Sequence, residues 1–348
     1  MTPTMKAPKN IAVALFDLAF DATRLATSLA CALFLVASAA ATADDAPVTA
    51  QIVDLAIKIN GAHPGFRPFH AKGVVVEGHF KASAEAAQLS RATLFSGTTI
   101  PVTARFSDGS GMPNDADGSP GANPHGLAIK FHLPGGADTD MVTNSLKFFL
   151  VGTGEDFRDF LTAIIDSPPD AVKPTKLDQF FASHPNAPKA LGSASTPDSY
   201  ADEQYQGINA FILVSKSGQR QAVRYQIVPE RLVHLAPEEA AKRPADFLVA
   251  ELTQRMGQKP VVFHLKAQLA AAGDQTNDAS KPWPDDRRVV DLGVLTLDKL
   301  VANSLDAQRK LLFIPTNLTD GIELSDDPLP VVRAGAYAIS FARRSANR

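Results

Sequence analysis

Two short stretches of this chain carry side chains suited to chemistry on a bound reactive centre. The first is Phe66-Arg67-Pro68-Phe69-His70-Ala71-Lys72-Gly73, where a histidine enters an alternating apolar run directly after an arginine-containing turn. An imidazole placed this way can take and return a proton near neutral pH. The second is Arg333-Ala334-Gly335-Ala336-Tyr337, continuing to Arg343-Arg344. On a helix, Arg333 and Tyr337 lie one turn apart and share a face. A guanidinium beside a phenol favours the phenolate, a hard anion suited to ferric iron, and tyrosine is one of the side chains that ligate haem iron. Each stretch alone has an ordinary reading, as a structural histidine or as a core tyrosine salted by its helical neighbour.

Eight strand-like stretches surround these residues: 72–80, 100–107, 125–133, 145–151, 208–215, 219–228, 260–269 and 288–297. Most are rich in Val, Ile and Phe with period-two alternation, as in Val102-Thr103-Ala104-Arg105-Phe106. Lys216-Ser217-Gly218 is a turn signal that makes 208–215 and 219–228 a hairpin. Helical patterns cover 155–165, 176–183 and 237–254, and the segments 109–124 and 185–200 read as loops. Strands and helices do not alternate as in a doubly wound sheet. The pattern predicts an α+β fold built on an eight-stranded antiparallel barrel with flanking helices. Such a barrel is about wide enough to enclose side chains or one small ligand.

Composition removes several classes. The 348 residues carry 34 Lys and Arg against 37 Asp and Glu, so no basic excess points to nucleic acid. A single cysteine, Cys31, excludes a disulfide framework and a cysteine–zinc site. There is no phosphate-cradling glycine motif, no Gly-x-Ser-x-Gly and no His-Glu-x-x-His. At the start, Lys6, Lys9 and Arg24 precede an apolar run over 25–39, followed by Ala41-Thr42-Ala43 and Asp44-Asp45. This reads as a cleaved export signal over 1–43, leaving one domain over 44–348 in the periplasm or outside the cell, without stable membrane attachment.

Five blocks together resemble the haem catalases, and particularly the small catalase-related peroxidases. The His-Ala-Lys-Gly run with Arg three residues earlier matches His70 and Arg67. An Arg-Phe-Ser strand matches Arg105-Phe106-Ser107, and a Gly-x-Ala-x-Lys-Phe strand matches Gly126 to Phe131. A Phe-Phe pair followed by Phe-x-Asp-Phe matches Phe148-Phe149 and Phe157 to Phe160. The proximal Arg-x-x-x-Tyr, with a second Arg seven residues on, matches Arg333, Tyr337 and Arg344.

The resemblance implies a catalase-like domain with haem, expected as haem b. It assigns Tyr337 as the axial iron ligand with Arg333 beside it, and His70 as the catalytic acid–base oriented by Ser107. Arg67, Arg105 and Arg344 would hold the haem propionates, and Phe157 would pack on the porphyrin. There are departures. Thr143 occupies the place of the family's distal asparagine, and Asn144 would replace it only with a shifted backbone. His125 stands where large catalases carry Arg. The chain ends 11 residues after Tyr337, so their C-terminal helical domain and amino-terminal arm are not expected. The implied function is an exported haem peroxidase that reduces hydrogen peroxide or organic peroxides with a small organic donor, with weak catalase activity. The alternatives are a fatty-acid hydroperoxide-transforming haem enzyme and a non-catalytic haem carrier.

Overall fold

Alternating side chains give this chain strands whose pairing closes on itself. The computed structural model describes residues 46–346, so the expected signal over 1–43 lies outside the described residues. The strands are β1 (Gly73–Ala82), β2 (Thr99–Ser107), β3 (Gly126–His132), β4 (Asp138–Asn144), β5 (Tyr205–Gln206), β6 (Phe211–Val214), β7 (Arg220–Pro229), β8 (Val261–Leu269), β9 (Val289–Leu300) and β10 (Ile322–Leu324). The helices are α1 (Val48–Asn60), α2 (Ala86–Leu89), α3 (Gly154–Ile165), α4 (Lys176–Ser183), α5 (Ala187–Leu191), α6 (Pro237–Ala240), α7 (Phe247–Met256), α8 (Ser304–Lys310) and α9 (Leu329–Ala346). The sheet order is β10-β6-β7-β5-β4-β3-β2-β1-β9-β8, and an added β7–β8 pairing closes the eight strands from β7 to β8 into an antiparallel barrel. β6 and β10 extend the sheet beyond β7.

Cross-strand partners share a face, so the register sorts the residues. One row, Val74–Phe106–Leu127–Thr143, points inward. With Phe80, Phe131, Tyr205 and Phe263 it belongs to the buried core that fills the barrel. Of the two expected fillings, side chains or one small ligand, the barrel holds packed side chains. The adjacent rows, Gly73–Ser107–Gly126–Asn144 and Val75–Arg105–Ala128–Val142, face outward. A second apolar cluster, from Ile52 of α1 through Leu150, Val151, Phe160 and Leu161 to Phe180 of α4, is separate from the barrel core.

Three sequence expectations change. Residues 145–151 form no strand; the strand there is β4, which returns from the Gly135-Gly136 turn. Its polar sequence hid it, because Lys130 pairs with Asp140 at 2.6 Å and Thr139 donates to the Asn317 carbonyl at 2.8 Å. The apolar run after it packs irregularly into the second cluster instead. The helix expected over 237–254 is split into α6 and α7, with Pro244 in the break. The Asp117 carboxylate accepts from the Leu248 amide at 2.7 Å and so caps the new start. The stretch 208–215 contracts to β6, and its hairpin with β7 forms with Phe211 opposite Val223. The helices at 155–165 and 176–183 appear as expected, α4 with a Thr175–Asp178 capping box.

Candidate active site

His70 sits just before β1 in a left-handed conformation with φ 55°, unusual for a side chain with a Cβ. Its amide donates to the Gly109 carbonyl at 3.1 Å, and its carbonyl accepts from Arg105 Nη2 at 2.8 Å. The strained residue is therefore held from both ends, as strain at functional sites must be. Ser107 Oγ lies 3.1 Å from the ring Nδ1, and the Asp108 carbonyl also bonds the ring. Together these two partners hold the ring in place. Part of the residue stays open to the recess while protein surrounds the ring elsewhere. Loss of water first, and the Arg105 charge second, push the imidazole down to about 3. It is a neutral base at physiological pH.

Gly126 makes room for this ring. A Cβ there would stand 2.9 Å from Ser107 Oγ and 3.1 Å from two imidazole atoms. Asn144 pairs with Gly126 and so lies on the same outer face. Thr143 points into the barrel, where its hydroxyl donates to the Leu127 carbonyl at 2.6 Å. The expected backbone shift for Asn144 is unnecessary: strand alternation alone brings it to the His70 side. Its Oδ1 accepts from the Leu146 amide at 2.9 Å, which leaves the Nδ2 protons to donate.

The other half comes from α9. Arg333 Nε donates to the Tyr337 hydroxyl at 3.2 Å, and Nη1 donates to Asn209 Oδ1 at 2.6 Å. Asn209 Nδ2 in turn donates to Asp327 Oδ2 at 2.8 Å, whose other oxygen caps α9 by accepting from the Leu329 amide at 2.9 Å. One chain of bonds thus fixes the helix start, Arg333 and the phenol. Asn209 and Asp327 carry no sequence signal for this role. The charge of Arg333 on α9 acts on His70, which places the two halves near one another.

Arg67 Nη2 and Arg344 Nη2 both donate to the Leu311 carbonyl, at 2.8 and 2.7 Å. Arg105 gives Nε to Gln308 Oε1 at 2.8 Å, and Gln308 Nε2 donates on to the Gly73 carbonyl at 2.9 Å. Gln308, a further brace, was missed because nothing in its surrounding sequence marks it. Burial, with the mutual repulsion of these guanidinium groups, holds Arg67 well below its ordinary range and pushes Arg105 down to about 10. Neither Arg67 nor Arg105 has a carboxylate within ion-pair distance among the described residues. Phe157 lies on α3 among aromatic rings, 5.4 Å from Phe149 and 6.5 Å from Phe69 between centroids. Phe69, Phe148, Phe149, Phe157 and Val332 are all only partly buried, a set of apolar groups facing the recess edge. Gly154 admits Val332 of α9 against the start of α3, since a Cβ there would meet Val332 Cγ1 at 2.8 Å.

A closed antiparallel barrel flanked by a neutral imidazole, an arginine-flanked phenol on α9 and buried guanidinium groups defines a class: a protein suited to hold a large, flat, anionic cofactor. The comparisons with known proteins narrow it. The family model for catalases matches residues 53–347. A catalase-related peroxidase of Mycolicibacterium paratuberculosis is 35% identical over 305 residues, which is 85% of this chain and 94% of that relative. A second catalase-related peroxidase, from Synechococcus elongatus, is 35% identical over 293 residues, 82% of this chain and 85% of its own length. A solved bacterial catalase superposes with a TM-score of 0.71 at 22% identity, covering 85% of this chain and 60% of that one. The chain belongs to the catalase family, and its function is of the peroxidase or catalase type.

That family implies haem, and the residues present fit it. Two buried arginines without carboxylate partners suit a group that brings two carboxylates of its own. The phenol oxygen already faces a guanidinium donor. The half-exposed phenylalanines offer an apolar bed for a porphyrin.

Proposed function

We propose that this chain is an exported haem peroxidase that reduces hydrogen peroxide or organic peroxides with a small organic electron donor, with weak catalase activity alongside. The observation that carries the reading is the shared Leu311 carbonyl. Through it Arg67, from the loop before the barrel, and Arg344, from the last helix, meet on one wall. Haem b would lie between His70 and Tyr337, with Tyr337 as iron ligand and Arg67, Arg105 and Arg344 toward its propionates. When bound, the haem supplies the two-electron chemistry at iron.

The chain's own residues supply proton handling and orientation. His70 Nε2, neutral and unprotonated, takes a proton from the near peroxide oxygen and returns it to the departing one, a role that typically contributes about 10²–10⁴-fold. Ser107 and the Asp108 carbonyl hold the ring in place. Asn144 Nδ2 is the second donor on the same face, positioned to hold the peroxide oxygen. Arg333 donates to the Tyr337 oxygen and fixes its position. The half-exposed rim at Phe157 and its neighbours leaves an edge open to an aromatic donor. Export rests on the basic, apolar and small-residue order of the first 43 residues. No described helix is long and apolar enough to cross a membrane.

The test combines a spectrum with turnover. Haem-loaded protein should show a high-spin ferric spectrum with phenolate charge-transfer bands, and Tyr337→Phe should lose those bands. His70→Ala should retain haem yet lose about 10²-fold or more of peroxide turnover with an aromatic donor. Full turnover in that variant would leave a haem carrier, or chemistry independent of the imidazole.

A further inference from the structure

On the far side of the strand end that carries Ser107 lies a polar cluster that the reaction above leaves unused. Asp108 follows Ser107, so its side chain turns away from His70. Its Oδ1 accepts a 2.6 Å hydrogen bond from the Tyr200 hydroxyl and stands 3.5 Å from Nε2 of His125. Lys72 Nζ lies 3.7 Å from Asp108 Oδ2, contacts Asp117, and reaches the Asp246 carboxylate at 3.1 Å. Asp108, Asp117 and His125 have no exposed surface, whereas Asp246 is at the surface. Lys72 contacts Asp117 through Oδ1, and Asp117 Oδ2 accepts from the Leu248 amide, whereas Asp108 Oδ2 and both His125 ring nitrogens lack a hydrogen-bond partner.

The charge count decides what this means. Two enclosed carboxylates face one ammonium, and that ammonium also serves Asp246. An enclosed carboxylate without its own cation is strongly disfavoured, and a proton on one of the pair removes the excess. A proton on Asp108 also turns its partnerless Oδ2 into a donor. We propose that Asp108 holds a proton beside the Asp117 carboxylate, and that this acid–carboxylate pair positions the distal imidazole by holding the backbone that carries Ser107 and the Asp108 carbonyl.

The surrounding groups agree. Burial first, then Asp117, pushes Asp108 up to about 8. His125 does not take the proton, because burial, then His70, holds it down to about 3. The charged and titratable groups facing Asp108 are Lys72 from the start of β1, Asp117 from the loop before β3, His125 at the entry to β3, Tyr200 from the turn before β5, and Arg105 two residues back on β2. Asp246 acts on it through Lys72. Above the midpoint the pair carries two negative charges, which repel at the strand end and release Ser107 from His70. The link to peroxide turnover rests on the haem-peroxidase reading, while the proton on Asp108 does not.

The experiment begins with infrared difference spectra of the full chain, taken on either side of about pH 8. A protonated-carboxyl band that disappears at the alkaline side, and is absent from Asp108→Asn, is the expected result. Tyr200→Phe, which deletes a donor to the carboxylate, should move the band's midpoint to higher pH. In the haem-loaded protein, Asp108→Asn keeps a donor toward Asp117 permanently, so the alkaline fall in turnover should move to higher pH. Asp108→Ala should lower turnover at every pH. A chain with no titrating carboxyl band, or an Asp108→Asn variant with the alkaline limb of the parent, overturns the proposal. Failure to bind haem would instead sink the peroxidase reading and leave the infrared result standing.

Discussion

At the scale of single residues, the site works by placing neutral and charged groups where water cannot rescue them. His70 is a base because protein, not pH, keeps it unprotonated, and Ser107 with the Asp108 backbone holds its ring. The ring has almost no freedom on its Gly126 side. Gly126→Ala adds one methyl that would stand 2.9 Å from Ser107 Oγ and 3.1 Å from the imidazole. Either side chain must move by a few tenths of an ångström or more. A misplacement approaching 1 Å costs about 10²-fold in rate. The expected outcome is a folded protein that binds haem with the parental spectrum and turns over peroxide about 10²-fold more slowly. Parental turnover in Gly126→Ala would show that the ring's position is not critical.

At the scale of elements, the proximal side depends on how α9 begins. Asp327 caps the helix with one oxygen and holds Asn209 with the other, and Asn209 holds Arg333 beside Tyr337. Asn209→Ala removes a donor from a buried carboxylate and an acceptor from Arg333. Leaving such groups unpaired costs about 1–3 kcal/mol. Urea unfolding should report that loss, and haem titration should report weaker binding, because the phenol loses its oriented guanidinium. Unchanged haem affinity would show that Arg333 needs no brace. These braces mark where the sequence stops being legible. His70, Arg67, Tyr337 and Arg333 stand in motifs of distinctive type and spacing. Asn209, Asp327 and Gln308 are ordinary polar residues whose roles arise from contacts across more than a hundred positions. β4 was hidden for a related reason, since its Asp and Thr residues are satisfied by partners such as Lys130 and Asn317 that sequence patterning does not reveal. Asn144 was misjudged by one residue, and in a strand one residue decides the face.

At the scale of the whole molecule, the buried titratable groups pull stability in opposite directions with pH. His125 is fully enclosed, and burial holds it near 3 against about 6.5 in an unfolded chain. Its lowered value gives stability that is present above about 6.5 and lost as pH falls toward 3. His70 acts in the same direction, with a smaller effect because part of its surface is open. Asp108 is raised to about 8 from an ordinary carboxylate value near 3.9. Its stability contribution is full below about 4 and is lost as pH rises through 8. Asp140 and Asp327, also raised by burial, act with Asp108. Above about 6.5 the effect of the lowered histidines is complete, while Asp108 and His234, which its Glu203 bond raises, still titrate, so stability must fall with rising pH. Each such group contributes a slope of up to about 1.4 kcal/mol per pH unit. Urea unfolding across the pH range should therefore place maximum stability on the acid side of neutrality. Asp108→Asn should flatten the alkaline limb by up to about 1.4 kcal/mol per pH unit, and His125→Gln should flatten the acid one. A stability maximum above about pH 8 would mean that these buried groups titrate as they do in water.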